Sequence, residues 1–85
     1  MQQIEIYTTP FCGFCSRAKQ LLNAKNLPFR EIDVSRDRGL RSAMTRRAGG
    51  SHTVPQIFVG GQHVGGCSEL LTLERQGRLD ALLAL

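Results

Sequence analysis

QIEIYTTPFCGFCSRAKQLLNAK, residues 3–25, changes its hydrophobic period from two to 3.6 within a few positions. Gln3-Ile4-Glu5-Ile6-Tyr7 alternates polar and apolar side chains, the pattern of a half-buried strand. Thr8-Thr9-Pro10 breaks that pattern. From about Gly13 to Lys25 the residues Cys15, Ala18, Leu21 and Leu22 share one face, while Arg17, Lys19, Gln20 and Asn23 lie elsewhere. This segment is an amphipathic helix, ended by Asn26-Leu27-Pro28.

Working outward, Phe29 to Val34 reads as a second strand. Ser35 is the expected N-cap of a helix running to about Ala48, with Leu40, Ala43 and Met44 inward and Gly49-Gly50 closing it. Gln56-Ile57-Phe58-Val59, Gly60-Gly61 and Gln62-His63-Val64 form a hairpin about a glycine turn. Ser68 to Gln76 is a further helix stopped by Gly77, and a last short helix carries Leu79, Leu82 and Leu83. The order β-α-β-α-β-β-α places the chain in the α/β class. Its early βαβ unit implies parallel pairing, and the later hairpin adds antiparallel strands. The expectation is a four-stranded mixed sheet flanked by helices, in one domain over residues 1–85.

Size and composition narrow the function. Eighty-five residues with 41% apolar and 21% charged side chains allow one core but no deep enclosed cavity. A site should be a shallow groove. No apolar run approaches the ~20 residues of a membrane span, and Met1-Gln2-Gln3-Ile4-Glu5 enters a strand rather than a signal peptide. With three cysteines, too few for a secreted disulfide framework, the expectation is a cytoplasmic monomer without a membrane partner. The net charge of +4 is concentrated at Arg36, Arg38, Arg41, Arg46 and Arg47. Few aromatics accompany these arginines and no nucleic-acid motif surrounds them, so they read as a solvated helix face. Attraction of a small anion is the second reading.

Cys12-Gly13-Phe14-Cys15 falls where the first strand hands over to the first helix. The opening amides of a helix lack intrahelical partners and the macrodipole is positive there. A sulfur at that point gains stability as the thiolate, which is both attacking and leaving group in disulfide exchange. Two intervening residues make about one turn, so Cys15 can attack a mixed disulfide formed on Cys12. Cys12 precedes the helix and is the expected exposed nucleophile. Cys15 shares the apolar face of Ala18 and Leu22 and is the expected resolving thiol. A zinc site completed by Cys67 with His52 or His63 is the competing reading of the pair. The missing second Cys-x-x-Cys and the wide histidine spacing count against it, and no metal is expected.

Two further segments carry potential binding chemistry. Thr53-Val54-Pro55 precedes a strand, where proline either begins an edge strand or adopts a cis bond that exposes the preceding backbone to a peptide-like ligand. Gly65-Gly66-Cys67-Ser68-Glu69 leads into a helix, and is either an ordinary strand-to-helix turn or a seat for a carboxylate.

Tyr7 to Cys15, Thr53 to Phe58 and Gly65 to Leu70 together resemble the three signature segments of the glutaredoxins, dithiol class, most similar to the small bacterial glutaredoxin 3 type. The likeness runs from Ile4 to about Leu83. It implies a thioredoxin fold and glutathione-dependent reduction of protein disulfides and glutathione mixed disulfides, with glutathione and disulfide-containing or glutathionylated proteins as partners. Under that resemblance Cys12 receives the glutathionyl group and Cys15 resolves protein disulfides. Pro55 is cis, Val54 pairs its backbone with the cysteinyl part of glutathione, and Thr53 belongs to the same glutathione-binding segment. Gly66, Cys67 and Ser68 hold its γ-glutamyl carboxylate, with Glu69 near the amine.

Departures from the family pattern add expectations. Gly13-Phe14 stands where Pro-Tyr is common, and Thr9 where a lysine is frequent. Gly49-Gly50-Ser51-His52 is one residue longer than usual and lacks the Arg or Gln that helps hold the glycyl carboxylate, leaving Arg46, Arg47 or Lys19 as replacements. Gly13 also opens an alternative in which a dimer holds a [2Fe-2S] cluster through Cys12 thiolates and two glutathiones. A redoxin reduced by thioredoxin reductase is the other alternative.

Overall fold

A computed structural model describes residues 1–84; Leu85, the last position of the expected 1–85 domain, lies outside the described residues. The chain runs β1 (Ile4–Thr8), α1 (Gly13–Ala24), β2 (Arg30–Asp33), α2 (Arg38–Arg47), β3 (Gln56–Val59), β4 (Gln62–Gly65), α3 (Cys67–Arg75) and α4 (Leu79–Leu82). The sheet order is β2-β1-β3-β4. β1 pairs parallel with β2 and antiparallel with β3, and β3 pairs antiparallel with β4. The expected mixed four-stranded sheet is therefore present, with its hairpin turning through Gly60 and Gly61 at φ +58° and +83°, angles that side chains with a Cβ resist.

Alternation along the central strands sorts the core into two layers. Ile4, Ile6, Ile57 and Val59 face α1 and α3, where Ala18, Leu22, Cys67 and Leu70 cover them together with Leu79 and Leu83. Tyr7 and Phe58 point the other way, onto Met44 and Ala48 of α2 and its C-terminus. β1 is thus covered on both faces rather than half-buried as its alternation implies. Tyr7 carries the polar tip that made that face look solvent-facing, and its hydroxyl accepts a hydrogen bond from Arg47 at 2.8 Å.

α2 departs from its expected start. Asp33 accepts the Ser35 amide at 2.8 Å in a local turn, and Asp37, not Ser35, caps the helix by accepting the Leu40 amide at 3.0 Å. Only Met44 of the three expected inward residues is buried in this helix; Leu40 is 40% exposed. Met44 closes this layer over the central strands together with Ala48 and Val34.

On the other face, Lys25 at the end of α1 pairs with Glu74 and Asp80 at 2.9 and 3.0 Å, joining α1 to α3 and α4. Leu22 is completely buried there. Its truncation, Leu22→Ala, is expected to cost about 2–5 kcal/mol through lost burial and a cavity, read as a lower urea midpoint with unchanged slope.

Candidate active site

The turn between β1 and α1 delivers Cys12 to the surface. Phe11 takes a left-handed φ of +59°, costly for a bulky side chain. This reverses the chain after Pro10 and leaves the Phe11 ring fully in solvent. Cys12 is then the N-cap of α1, in extended conformation, and its Sγ accepts the Cys15 amide at 3.1 Å. This is the geometry that Ser or Asp side chains adopt as N-caps, with sulfur in place of oxygen. Cys12 is half-buried rather than fully exposed, while Phe14, two residues on, is 63% exposed. Two phenyl rings therefore make an apolar rim beside the thiol.

Cys15 sits at 1% exposure on the apolar face of α1, deeper than the partial burial its pattern implies. Burial, then its hydrogen bond to Cys12, pushes its thiol from the ordinary 9.0 up to about 11, against the smaller opposing pull of the Thr9 backbone and Lys19. Cys15 accordingly holds its proton when the pair is reduced. The two thiols divide their labour by position: one at the helix mouth, one inside.

The other two segments meet this turn. The Val54–Pro55 peptide bond is cis, which settles the choice the sequence leaves open. The Val54 carbonyl lies 3.9 Å from Cys12 Sγ, and Pro55 and the residues after it are buried. Thr53 and Ser51 are tied together at 3.3 Å through their hydroxyls. Behind this loop, a Cβ built on Gly66 would sit 3.3 Å from the Pro55 carbonyl oxygen, so glycine allows the third segment to press against the second. Gly65, at φ +126°, is constrained further, since a Cβ there would fall 2.8 Å from the Glu69 side chain.

The start of α3 carries its own carboxylate. Glu69 accepts the Gly66 amide at 2.7 Å and the Ser68 hydroxyl at 2.7 Å, and these bonds, Ser68 first, hold its carboxyl below the usual range. Cys67 is buried at 6% exposure against the α1–α3 layer. It packs as a core residue, and Ser68 is exposed beside it. The residues expected at the site, Cys12, Cys15, Thr53, Val54, Pro55, Gly66, Cys67, Ser68 and Glu69, thus converge on one end of the sheet from three separate stretches of chain. His52, His63 and Cys67 form no metal cluster with the thiol pair; among the described residues no three His, Cys, Asp or Glu side chains gather in that way.

The cations sort differently from expectation. Lys19 is bonded to Glu31 at 2.9 Å, and the same carboxylate oxygen accepts the buried Thr8 hydroxyl at 2.8 Å. Arg47 pairs with Glu5 at 2.9 Å and lies 4.0 Å over the Phe58 ring. Both are engaged in joining elements. Arg41, left in the solvated set by sequence reasoning, instead donates to the His52 carbonyl at 2.9 Å, beside Thr53. Its place on α2 opposite that loop has no local signature.

The sequence model of the glutaredoxin family matches residues 4–64. The chain belongs to the glutaredoxin family. It is 52% identical to a glutaredoxin of Pseudomonas aeruginosa over 99% of both chains, and 45% identical to glutaredoxin 3 of Escherichia coli over 98% of this chain and 99% of that one. In three dimensions it is similar to the glutaredoxin of Brucella melitensis, with a TM-score of 0.85 and 51% identity over 98% of this chain and 89% of that chain. A buckwheat glutaredoxin–glutathione complex superposes with a TM-score of 0.87 at 28% identity, covering 98% of this chain and 77% of that chain. The fold is accordingly the thioredoxin fold, and membership of the family makes the protein a thiol–disulfide oxidoreductase.

Separation of the two thiols by burial is open to direct measurement. In the reduced protein at neutral pH, iodoacetamide should modify Cys12 first, with Cys15 and Cys67 protected. Cys15 should become reactive only as pH rises toward about 11. Because the fold raises this thiol above its ordinary 9.0, its contribution to stability is complete below pH 9 and is lost as pH rises through about 11. Peptide mass spectrometry after timed alkylation reads the order; Cys15 labelling ahead of Cys12 at pH 7 would contradict it.

Proposed function

We propose that the protein is a glutathione-dependent dithiol oxidoreductase, formed by one domain over residues 1–85, that reduces glutathionylated proteins and protein disulfides through Cys12 and Cys15. The observation that carries this reading is the Cys12 sulfur capping α1 and accepting the Cys15 amide, while Cys15 stays buried and protonated behind it. On a glutathionylated protein, the Cys12 thiolate attacks the glutathione sulfur. The S–S bond breaks, the protein thiolate leaves and takes up a proton, and Cys12 carries the glutathionyl group. A second glutathione thiolate attacks that group, releasing glutathione disulfide and restoring the Cys12 thiolate. On a protein disulfide, Cys12 forms the mixed disulfide first. Cys15 then gives up its proton and attacks the Cys12 sulfur, and the substrate leaves with both cysteines reduced. Two glutathiones reduce the resulting Cys12–Cys15 disulfide.

Glutathione is supported as the reductant by the groups around that sulfur. Backbone of Thr53–Val54 flanks it on one side, with the Val54 carbonyl 3.9 Å away, offering strand-like pairing to the cysteinyl peptide group. The first amides of α3, at Cys67 and Ser68, face the γ-glutamyl carboxylate, where a helix start favours an anion. Glu69, anchored and ionised, offers its charge to the neighbouring amine. Arg41, fixed at the His52 carbonyl, supplies the cation for the glycyl end in place of Lys19 and Arg47. The buckwheat relative of the same fold is a glutathione complex. Work as a monomer in the cytoplasm belongs to the same proposal.

Reduction of a glutathionylated peptide, coupled to glutathione reductase, tests the assignment. Cys12→Ser should fall to the uncatalysed background. Cys15→Ser should keep that activity but lose reduction of a protein disulfide. Full turnover by Cys12→Ser would remove the assignment, and turnover supported by thioredoxin reductase but not by glutathione would replace the reductant.

A further inference from the structure

Gln56 is the first residue of β3 and is 3% exposed, an unusual place for a primary amide. Every side-chain hydrogen bond described for it leads to the loop before it or to the edge strand beside it. Its Nε2 donates to the Thr53 carbonyl at 2.9 Å and to the Ser51 hydroxyl at 2.9 Å, and lies 3.3 Å from the Thr53 hydroxyl. Its Oε1 lies 2.6 Å from Nε2 of His63. His63 stands on β4 opposite Phe58, and its ring rests on that side chain with centroids 5.1 Å apart.

The amide's orientation follows from these partners. A carbonyl oxygen can only accept, so the group facing Thr53 O is the NH2, and the oxygen faces His63. His63 must then carry a proton on Nε2. With the proton on Nδ1 alone, two acceptors would oppose each other at 2.6 Å. The imidazole, itself seated on Phe58, locks the amide, and the amide fixes Thr53 from below. Val54, the next residue, places its carbonyl against Cys12 Sγ.

We propose that Gln56, locked by His63, is a positioning residue that presents the Thr53–Val54 backbone to glutathione. This rests on the glutathione reading above. Neither side chain touches the thiols; they set the geometry of the segment that does. Without the His63 donor the buried amide oxygen loses its partner, so the amide grips Thr53 less firmly and the loop samples orientations in which pairing with glutathione is weakened. The effect falls on binding, so KM changes and kcat does not.

The test is steady-state kinetics with a glutathionylated peptide for wild type, His63→Phe and His63→Gln. Phenylalanine keeps the ring on Phe58 and removes the donor, whereas glutamine can place an N–H near the position of Nε2. His63→Phe should raise KM for the peptide about five-fold, the value of one hydrogen bond, with kcat within about two-fold and the protein still fully folded at the assay temperature. His63→Gln should return KM close to wild type. Amide hydrogen exchange at Thr53 and Val54 should quicken in His63→Phe and recover in His63→Gln. An unchanged KM in His63→Phe overturns the inference, as does a fall in kcat that tracks a lower melting temperature or a failure of His63→Gln to recover. Wild-type protein without glutathione-dependent turnover overturns the functional reading first and this inference with it, so the two failures are distinguishable.

Discussion

The hydrogen bond from the Cys15 amide to Cys12 Sγ is the constraint on which the site depends. It makes the sulfur an N-cap, and an N-cap side chain accepts from the amide three residues ahead. The two-residue gap between the cysteines is therefore the spacing of a cap and its N3 partner. The same spacing sends the N3 side chain inward, onto the face of Ala18 and Leu22. One local geometry thus produces an accessible sulfur facing an amide, and a second sulfur kept protonated by burial within reach of the first. Loosening the first turn of α1 would disturb both thiols together.

A cap at the surface is of use only if something can be held against it, and the sheet supplies that. β1 and β3 are central neighbours, so the chain leaving β1 and the chain entering β3 emerge side by side. The thiol turn follows the first and the Thr53–Pro55 loop precedes the second. β4 pairs with β3, and its end at Gly65 brings the start of α3 behind Pro55. Two apolar layers fix this frame, one closed by α1 and α3 and the other by Met44, Ala48 and the Tyr7–Phe58 pair. The functional segments sit at the rim, where backbone groups are still open to a ligand.

Basic side chains outnumber acidic ones by eleven to seven, and Lys19, Lys25 and Arg47 are engaged in ion pairs that bind elements together. Lys19 reaches β2 through Glu31, Lys25 reaches α3 and α4, and Arg47 reaches β1 and the face of Phe58. Such partly exposed pairs stabilise only modestly. Their greater consequence is to occupy those cations, while Arg46 stays exposed on α2 and Arg41 is held at the His52 carbonyl beside Thr53.

What the sequence by itself determined is local in origin. Hydrophobic period placed β1, α1, β3, β4 and the later helices to within a residue or so, because each pattern is written over contiguous residues. The placing of Cys12 and Cys15 at a helix start was legible for the same reason, since capping is an interaction within one turn. Tertiary structure alone decided the rest. It covered both faces of β1, which an alternating strand does not announce; the α2 cap at Asp37, by contrast, is set locally, with Asp33 accepting the Ser35 amide and Asp37 that of Leu40. It made the Val54–Pro55 bond cis, where proline's own preference is nearly indifferent. It also engaged Lys19 and Arg47 elsewhere and joined Gln56 to His63 and Thr53. Those are encounters between side chains distant in sequence or on neighbouring strands, and no local pattern encodes which partner a long polar side chain will meet.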